Sequence, residues 1–218
     1  MIRIITAMLV SMLVTGAHAA DAPAPDASTL TPQQLVENSA KKMLAELDAN
    51  RAMYKADPKK LDALVGNVLL PNFDTEYSAR LVLGQSWRTA TPEQRKRFVD
   101  AFYHSLLTNY GAALSDFTAD KLKIYPANVD PGSDRSTVRT EVKGSSGDRT
   151  AVNYVMRKTP DGWKAVDVNI DGISYVKSYH DDFDAQIDQQ GMDAVITRLE
   201  KGEKPGAISK TTAGGKSS

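Results

Sequence analysis

The spacing of apolar residues changes near the middle of the chain, and this change constrains the fold more than any other feature. Up to residue 118, apolar residues recur every three or four positions, as in helices that bury one face. Beyond it they alternate with polar residues, beginning with Lys121-Leu122-Lys123-Ile124, which is typical of strands. The sequence therefore predicts an α+β fold in which a helical part, residues 31–118, precedes a sheet and closing helices, residues 119–202.

The predicted helices have clear start signals. Thr31-Pro32-Gln33-Gln34 and Thr91-Pro92-Glu93-Gln94 each place a Thr cap before Pro in the first helical position, with Gln three residues after the cap. Asp57-Pro58 and Asp74 mark the starts of two shorter helices. In the second long helix, the apolar residues within Phe98–Leu114 cover about half of the circumference. That width indicates contact with a partner layer on two sides, or with one layer and a cavity.

The second part contains four predicted strands, over residues 121–124, 138–143, 152–157 and 166–170. Turn sequences at Ser145–Asp148 and Pro160–Gly162 join neighbouring strands, so the sheet is expected to be antiparallel, with one apolar and one polar face. The closing helix has four apolar residues on one face: Tyr175, Tyr179, Phe183 and Ile187. The prediction is a curved antiparallel sheet whose apolar face is covered by helices.

The two ends of the chain differ in composition from the middle. Residues 1–19 combine one basic residue, Arg3, with an apolar run and Ala17-His18-Ala19, the pattern of a secretory signal peptide. Residues 20–30 predict a flexible lead-in, and residues 203–218 predict a disordered tail. We therefore expect the folded unit over residues 31–202, in an exported protein that fits the space between two bacterial membranes.

Composition excludes several kinds of function. The chain has no Cys, which excludes disulfide scaffolds, thiol nucleophiles, iron-sulfur clusters and Cys-type zinc sites. It has 27 basic and 27 acidic residues, and loss of Arg3 with the signal peptide would leave a net charge of −1. Because there is no excess positive charge, binding of nucleic acid by bulk electrostatics is not expected.

Catalytic and metal-binding motifs are scarce. The sequence contains no G-x-S-x-G elbow, phosphate-binding loop, dinucleotide fingerprint or H-E-x-x-H motif. Two histidines remain after the signal peptide, His104 and His180, and both are predicted at the surface. A run of carboxylates at helical spacing is predicted to form a solvated face: Asp181, Asp182, Asp184 and Asp188.

One motif matches part of a calcium site. Asp167–Gly172 has the D-x-N-x-D-G pattern of the first half of an EF-hand loop. The twelfth position, which should be a bidentate Glu, is Ser178, and a strand rather than a helix precedes the motif. We expect a strand that ends in a turn, with Asp171-Gly172 as its corner.

The residues alone leave other functions open. One is an enzyme on the same cone-shaped fold, with a buried aspartate as base, for which the candidates are Asp167, Asp171 and Asp182. Another is a module with a filled core that binds another small apolar ligand or only a protein partner. An ordinary packed core explains each apolar residue taken singly.

Three motifs carry a family resemblance. They are L-P-x-x-D at Leu70–Asp74, G-x-x-W-R-x-A-T-P-E-Q at Gly84–Gln94 and D-V-x-I-D-G-I-S at Asp167–Ser174. Val152-Asn153-Tyr154, Trp163-Lys164 and Gly191 follow the same order. Over residues 31–202 the chain resembles the MlaC family, also called the toluene-tolerance family, of periplasmic phospholipid-binding proteins in Gram-negative bacteria. It departs from many relatives at His180–Phe183 and in its long tail.

The resemblance implies a fold related to nuclear transport factor 2, with an added helical subdomain and a deep cavity for phospholipid acyl chains. It implies no catalytic residues and no cofactor, with phospholipid as cargo. It further implies a soluble periplasmic carrier, a monomer, that maintains the lipid asymmetry of the outer membrane. The implied partners are an outer-membrane lipoprotein and porin complex and the MCE-domain protein of an inner-membrane ABC transporter.

The site hypothesis joins this resemblance to the apolar pattern. Inward strand residues and the stripe of the second long helix are expected to line the cavity, with Phe73, Tyr77 and Trp87 nearer its entrance. The candidate lipid-binding residues are Phe73, Tyr77, Leu81, Trp87, Phe98, Phe102, Tyr103, Leu106, Tyr110, Val138, Val142, Val152, Tyr154, Met156, Val166, Val168 and Ile170.

Overall fold

The computed structural model describes residues 29–206 of the 218-residue chain, apart from residues 112–113, 115–117 and 145–146 and the side chains of Tyr110 and Ala119. The predicted signal peptide, most of the predicted lead-in and most of the predicted tail lie outside the described residues, as do Ser145 and Ser146 of one predicted turn.

Most helices precede the sheet, and two follow it. Their bounds are α1 Pro32–Ala56, α2 Pro58–Val68, α3 Thr75–Leu83, α4 Gln85–Thr89, α5 Pro92–Tyr110, α6 Tyr175–Gln190 and α7 Met192–Glu200, with a short 3₁₀ helix at Leu70–Asn72. The predicted caps of α1 and α5 are confirmed. At each, the Thr hydroxyl accepts a hydrogen bond from the backbone N–H of the Gln three residues on, whose side chain accepts one from the Thr N–H.

The sheet has five strands in sequential order, and every neighbouring pair is antiparallel. The strands are β1 Leu122–Ile124, β2 Arg135–Lys143, β3 Arg149–Thr159, β4 Gly162–Ile170 and β5 Ile173–Ser174. The predicted corner at Asp171-Gly172 is confirmed: both residues have positive φ, 49° and 83°, as a two-residue hairpin turn requires. The predicted α+β class with an antiparallel sheet is confirmed, with β5 as an additional short strand.

The sheet and helices meet along the free edge of β4. Phe73 forms a parallel bridge with Ala165, and the N–H of Asp74 donates to the carbonyl of Ala165 at 2.9 Å. The hydroxyl of Ser78 donates to the carbonyl of Val166 at 2.9 Å. These bonds satisfy an edge that β5 leaves uncovered, and they fix the segment between α2 and α3 against the sheet.

A dense aromatic core joins α3, α5, α6 and α7. The ring of Phe102 lies 5.2 Å from Tyr179 and 5.6 Å from Phe183, in edge-to-face contacts. Val195 and Leu199 of α7 complete this core and are fully buried. Among the described residues, no helix combines the length and apolar character needed to cross a membrane.

Candidate functional site: two adjoining apolar cavities

The larger cavity, here called the sheet cavity, lies between α1 and the inner face of the sheet and has a volume of about 430 Å³. Alternate residues of the strands form one wall, and small residues of α1, including Ser39 and Ala40, form the other. Its lining residues are Leu35, Val36, Ser39, Ala40, Met43, Leu69, Asn72, Phe73, Leu114, Leu122, Val142, Thr150, Val152, Tyr154, Met156, Ala165 and Ile170.

The second cavity, here called the helix cavity, lies between the edge of β4 and helices α3, α5 and α6, with a volume of about 210 Å³. Its lining residues are Val65, Leu69, Leu70, Phe73, Ser78, Val82, Phe102, Tyr103, Leu106, Leu107, Val166, Asp167, Val168, Tyr175, Val176 and Tyr179. The two cavities adjoin, because Leu69 and Phe73 belong to both walls.

The position of Phe73 is fixed by its neighbours. The carboxylate of Asp74 accepts a hydrogen bond from the N–H of Tyr77 at 3.1 Å, which caps α3, and pairs with Arg157 of β3 at 2.9 Å. Together with the bridge from Phe73 to Ala165, these contacts hold the side chain of Phe73 between the two spaces.

The polar groups on the cavity walls are neutral or already hydrogen-bonded. Burial raises the pKa of the Tyr103 hydroxyl to about 12, and burial also raises the pKa of Tyr154, so both phenols carry their protons at neutral pH. The amide of Asn72 donates to Ser39 Oγ at 3.0 Å and to the carbonyl of Val68 at 2.8 Å.

Asp167 is the carboxylate on the wall of the helix cavity, and it has a structural role. Its Oδ1 accepts hydrogen bonds from the N–H groups of Val168 and Val176, at 2.8 and 3.0 Å, and its Oδ2 accepts one from the Ser174 hydroxyl at 2.6 Å. Both oxygens therefore hold the start of α6 against β4. The walls as a whole suit hydrocarbon rather than a polar ligand.

Comparison with known proteins identifies the family. The sequence model of the family described as "MlaC protein" matches residues 37–201. This chain belongs to the MlaC family. Within the family, the chain is 30% identical over 164 residues to the toluene tolerance protein ttg2D of Pseudomonas putida, covering 75% of this chain and 76% of that protein.

Two further relatives have names or structures that mention phospholipid. The intermembrane phospholipid transport system binding protein MlaC of Haemophilus influenzae is 25% identical over 201 residues, covering 91% of this chain and 90% of that protein. A phospholipid-binding protein from Ralstonia solanacearum, solved in complex with a phospholipid, superposes with a TM-score of 0.73 at 25% identity. That superposition covers 79% of this chain and 97% of the other.

The structure brings eleven of the seventeen residues predicted for this MlaC-family site to the cavity walls. Their role in binding lipid stays a prediction. The eleven are Phe73, Phe102, Tyr103, Leu106, Val142, Val152, Tyr154, Met156, Val166, Val168 and Ile170.

Five predicted residues lie elsewhere, and the side chain of Tyr110 is outside the described part. Phe98 and Val138 are fully buried in packed clusters rather than on a cavity wall, and Trp87 is 8% exposed and packs under the guanidinium of Arg95. Leu81 is 40% exposed on α3. Tyr77, expected near the entrance, instead stacks against arginines of the outer sheet face.

The prediction missed the contribution of α1 and of the segment after α2. Val36, Ala40 and Met43 line the sheet cavity, and Leu69 lines both cavities. The apolar stripe of α1 was visible in the sequence. Periodicity does not distinguish a stripe that packs against a neighbour from one that faces a space, because both require the same apolar side chains.

The residues considered for other chemistry have ordinary structural partners. The carboxylate of Asp171 is exposed and accepts a hydrogen bond from the N–H of Ala151 at 2.9 Å. His104 is exposed as predicted, but His180 is half-buried, because its ring packs beside Gly84 and its Nδ1 lies 3.0 Å from the carbonyl of Val82. No cluster of three or more potential metal ligands occurs within the described residues.

Proposed function

We propose that this protein binds a phospholipid, with the acyl chains in the sheet and helix cavities, and carries it between the outer and inner membranes. The observation that carries the proposal is the pair of adjoining apolar cavities, of about 430 and 210 Å³. The family membership and the phospholipid complex of the Ralstonia solanacearum relative support it.

The energetics explain why such a carrier needs enclosed space. Two acyl chains contain roughly 30 methylenes, and at about 0.8 kcal/mol each their exposure to water would cost on the order of 20 kcal/mol. An aqueous carrier must therefore surround the chains, while the headgroup can remain in water. Spontaneous release is correspondingly slow, so delivery requires an acceptor that takes the chains directly or opens the cavities.

The expected setting is the periplasm, and the proposed role involves binding and carriage without a catalytic step. The proposed partners are an outer-membrane lipoprotein and porin complex and an inner-membrane MCE-domain protein of an ABC transporter. The signal-peptide pattern of residues 1–19 supports the location. Maintenance of outer-membrane lipid asymmetry is the proposed purpose.

Native mass spectrometry tests the cargo. The purified protein should carry an added mass equal to that of a phospholipid, and organic extraction should release that phospholipid in stoichiometric amount. A protein without bound lipid that also takes up none from phospholipid vesicles would contradict the proposal.

A filled cavity provides a sharper test. Ala40→Trp places a large side chain in the sheet cavity from α1, so we expect lipid occupancy to fall at least tenfold. Lys41→Trp is the matched control, because Lys41 is the next residue of α1 and is exposed. Equal lipid occupancy in both variants would show that the sheet cavity is not the lipid site.

A further inference from the structure

The outer face of the sheet has a chemical character opposite to that of the cavity side. Because side chains alternate along a strand, residues between the cavity-facing positions of β2 and β3 point away from the cavities. Six basic residues occupy outward positions on β1, β2 and β3, and together they are called the cationic face here: Lys123, Arg135, Arg139, Lys143, Arg149 and Arg157.

Pairs of like charge lie directly opposite each other on this face. Arg135 is in register with Arg157, and Lys143 is in register with Arg149. Like charges directly opposite on neighbouring strands destabilise a sheet. This arrangement is therefore unfavourable for the isolated fold, and it becomes favourable when an anionic surface covers it.

Compensation within the protein is incomplete. Glu141 pairs with Arg149 at 3.0 Å and Asp74 pairs with Arg157 at 2.9 Å, whereas Asp134 approaches Arg135 only to 4.0 Å. Among the described residues, neither Arg139 nor Lys143 has a carboxylate within ion-pair distance.

The guanidinium groups at one end converge on a single ring. Those of Arg157 and Arg135 lie 4.3 and 5.6 Å from the centre of the Tyr77 ring, and that of Arg80 lies at 4.9 Å. The hydrogen bond from Arg135 to the Tyr77 hydroxyl, together with the charges of the arginines, lowers the pKa of that hydroxyl. The local field at this end is therefore positive.

The shape of the cationic face suits a protein partner better than a bilayer. Arg135 and Lys143 are eight residues apart on β2, which spans about 26 Å, so the charges form a stripe two strands wide. Between them lie Thr137 and Asn153, with no large apolar side chain of the kind that anchors a protein in a lipid interface. Four of the six basic residues are Arg, whose planar guanidinium matches carboxylates in two-point contacts.

We propose that the cationic face is a docking surface for an acidic, elongated surface of a protein partner. The stripe orients the partner across the outer face of the sheet, opposite the cavity side, so that docking leaves α1 and the cavity walls uncovered. This inference concerns a surface separate from the cargo site and stands independently of the identity of the cargo.

Site-specific photocrosslinking in cells tests the proposal. Thr137, exposed at the centre of the face, is replaced by p-benzoylphenylalanine, and the crosslinked peptide is sequenced by mass spectrometry. We expect crosslinks to a protein segment rich in Asp and Glu. The same probe at Gln189, which is exposed on α6, should not give that crosslink.

Charge reversal separates docking from folding and cargo. Arg139→Glu with Lys143→Glu should reduce the crosslink at least fivefold, whereas Lys59→Glu with Lys60→Glu, on exposed lysines of α2, should preserve it. Both double variants change the net charge equally, and native mass spectrometry of the bound cargo checks that both are folded and loaded. Crosslinks that persist after reversal at Arg139 and Lys143, crosslinks to lipid, or none at all would overturn the proposal.

A membrane surface is the remaining occupant to exclude. The protein is sedimented with vesicles of phosphatidylglycerol and phosphatidylethanolamine at about 150 mM salt, where long-range attraction is screened beyond roughly 8 Å. We expect no binding that depends on Arg139 and Lys143. Binding that the reversal at these two residues abolishes would identify the face as a membrane-binding surface and would refute the protein-docking proposal.

Discussion

Two regions of this molecule use the same kinds of apolar residue but differ in packing. In the core of α3, α5, α6 and α7, aromatic rings meet at 5.2 to 5.6 Å, and Phe183 is fully buried. Between α1 and the sheet, apolar side chains instead surround about 430 Å³ of space. The difference shows that apolar content determines that a surface is buried, while side-chain size and the spacing of the layers determine whether the interior is filled.

Small residues account for the space beside α1. Ser39 and Ala40 face the sheet where larger side chains would reach it, and the hydrogen bond from Asn72 to Ser39 at 3.0 Å fixes α1 relative to the segment after α2. By the cost of engineered cavities, about 24 cal/mol per Å³, an empty closed space of this size would be worth on the order of 10 kcal/mol. Such a cost is comparable to the whole stability of a domain, so a resident ligand is favoured.

Truncation in the filled core should have the largest effect on stability. Phe183→Ala removes a ring that contacts Phe98 at 5.3 Å and Phe102 at 5.6 Å. We expect the free energy of unfolding to fall by about 3–5 kcal/mol in urea denaturation, because the surrounding helices cannot close the gap. A loss below about 1 kcal/mol would mean that this core is not densely packed.

The titration of two tyrosines tests whether the helix cavity excludes water. Because the folded-state pKa of Tyr103 is raised to about 12, the unfolded chain loses this proton first, and stability falls between about pH 10 and pH 12. The contribution is at most about 1.4 kcal/mol per pH unit. Tyr103→Phe should make this fall less steep, as measured by thermal unfolding at successive pH values.

Tyr77 provides the contrast from outside the cavities. The hydrogen bond from Arg135 lowers its pKa, so its contribution to stability increases with pH in the alkaline range. Tyr77→Phe should therefore steepen the alkaline loss that Tyr103→Phe reduces. Identical profiles for the two variants would indicate that water reaches Tyr103 as freely as it reaches Tyr77.

The smallest effect on stability is expected at the wall of the sheet cavity. Val152→Ala removes two methyl groups that face existing space, so the free energy of unfolding of the lipid-free protein should fall by less than about 1 kcal/mol. Lipid occupancy should change more than stability, because the lost contacts are with cargo. A stability loss as large as that of Phe183→Ala would remove the distinction between the two regions.

Local chemistry was readable in the sequence, and long-range spacing was not. The caps at Thr31 and Thr91 and the corner at Asp171-Gly172 depend on residues within four positions of each other, so their patterns predicted them. Phe98 and Phe102 lie on one face of α5, yet the first is in solid core and the second also borders the helix cavity. That distinction depends on where α3 and β4 lie, which the helical period of α5 does not contain.

The shared wall formed by Leu69 and Phe73 makes the two cavities thermodynamically dependent on each other. A ligand chain that displaces either side chain in one space necessarily changes the volume of the other, so the affinities of the two spaces for their chains are coupled, and the coupling is reciprocal. A phospholipid would then bind and leave as one cooperative unit. Substitutions at Leu69 or Phe73 would alter the steepness of its binding curve as well as its midpoint.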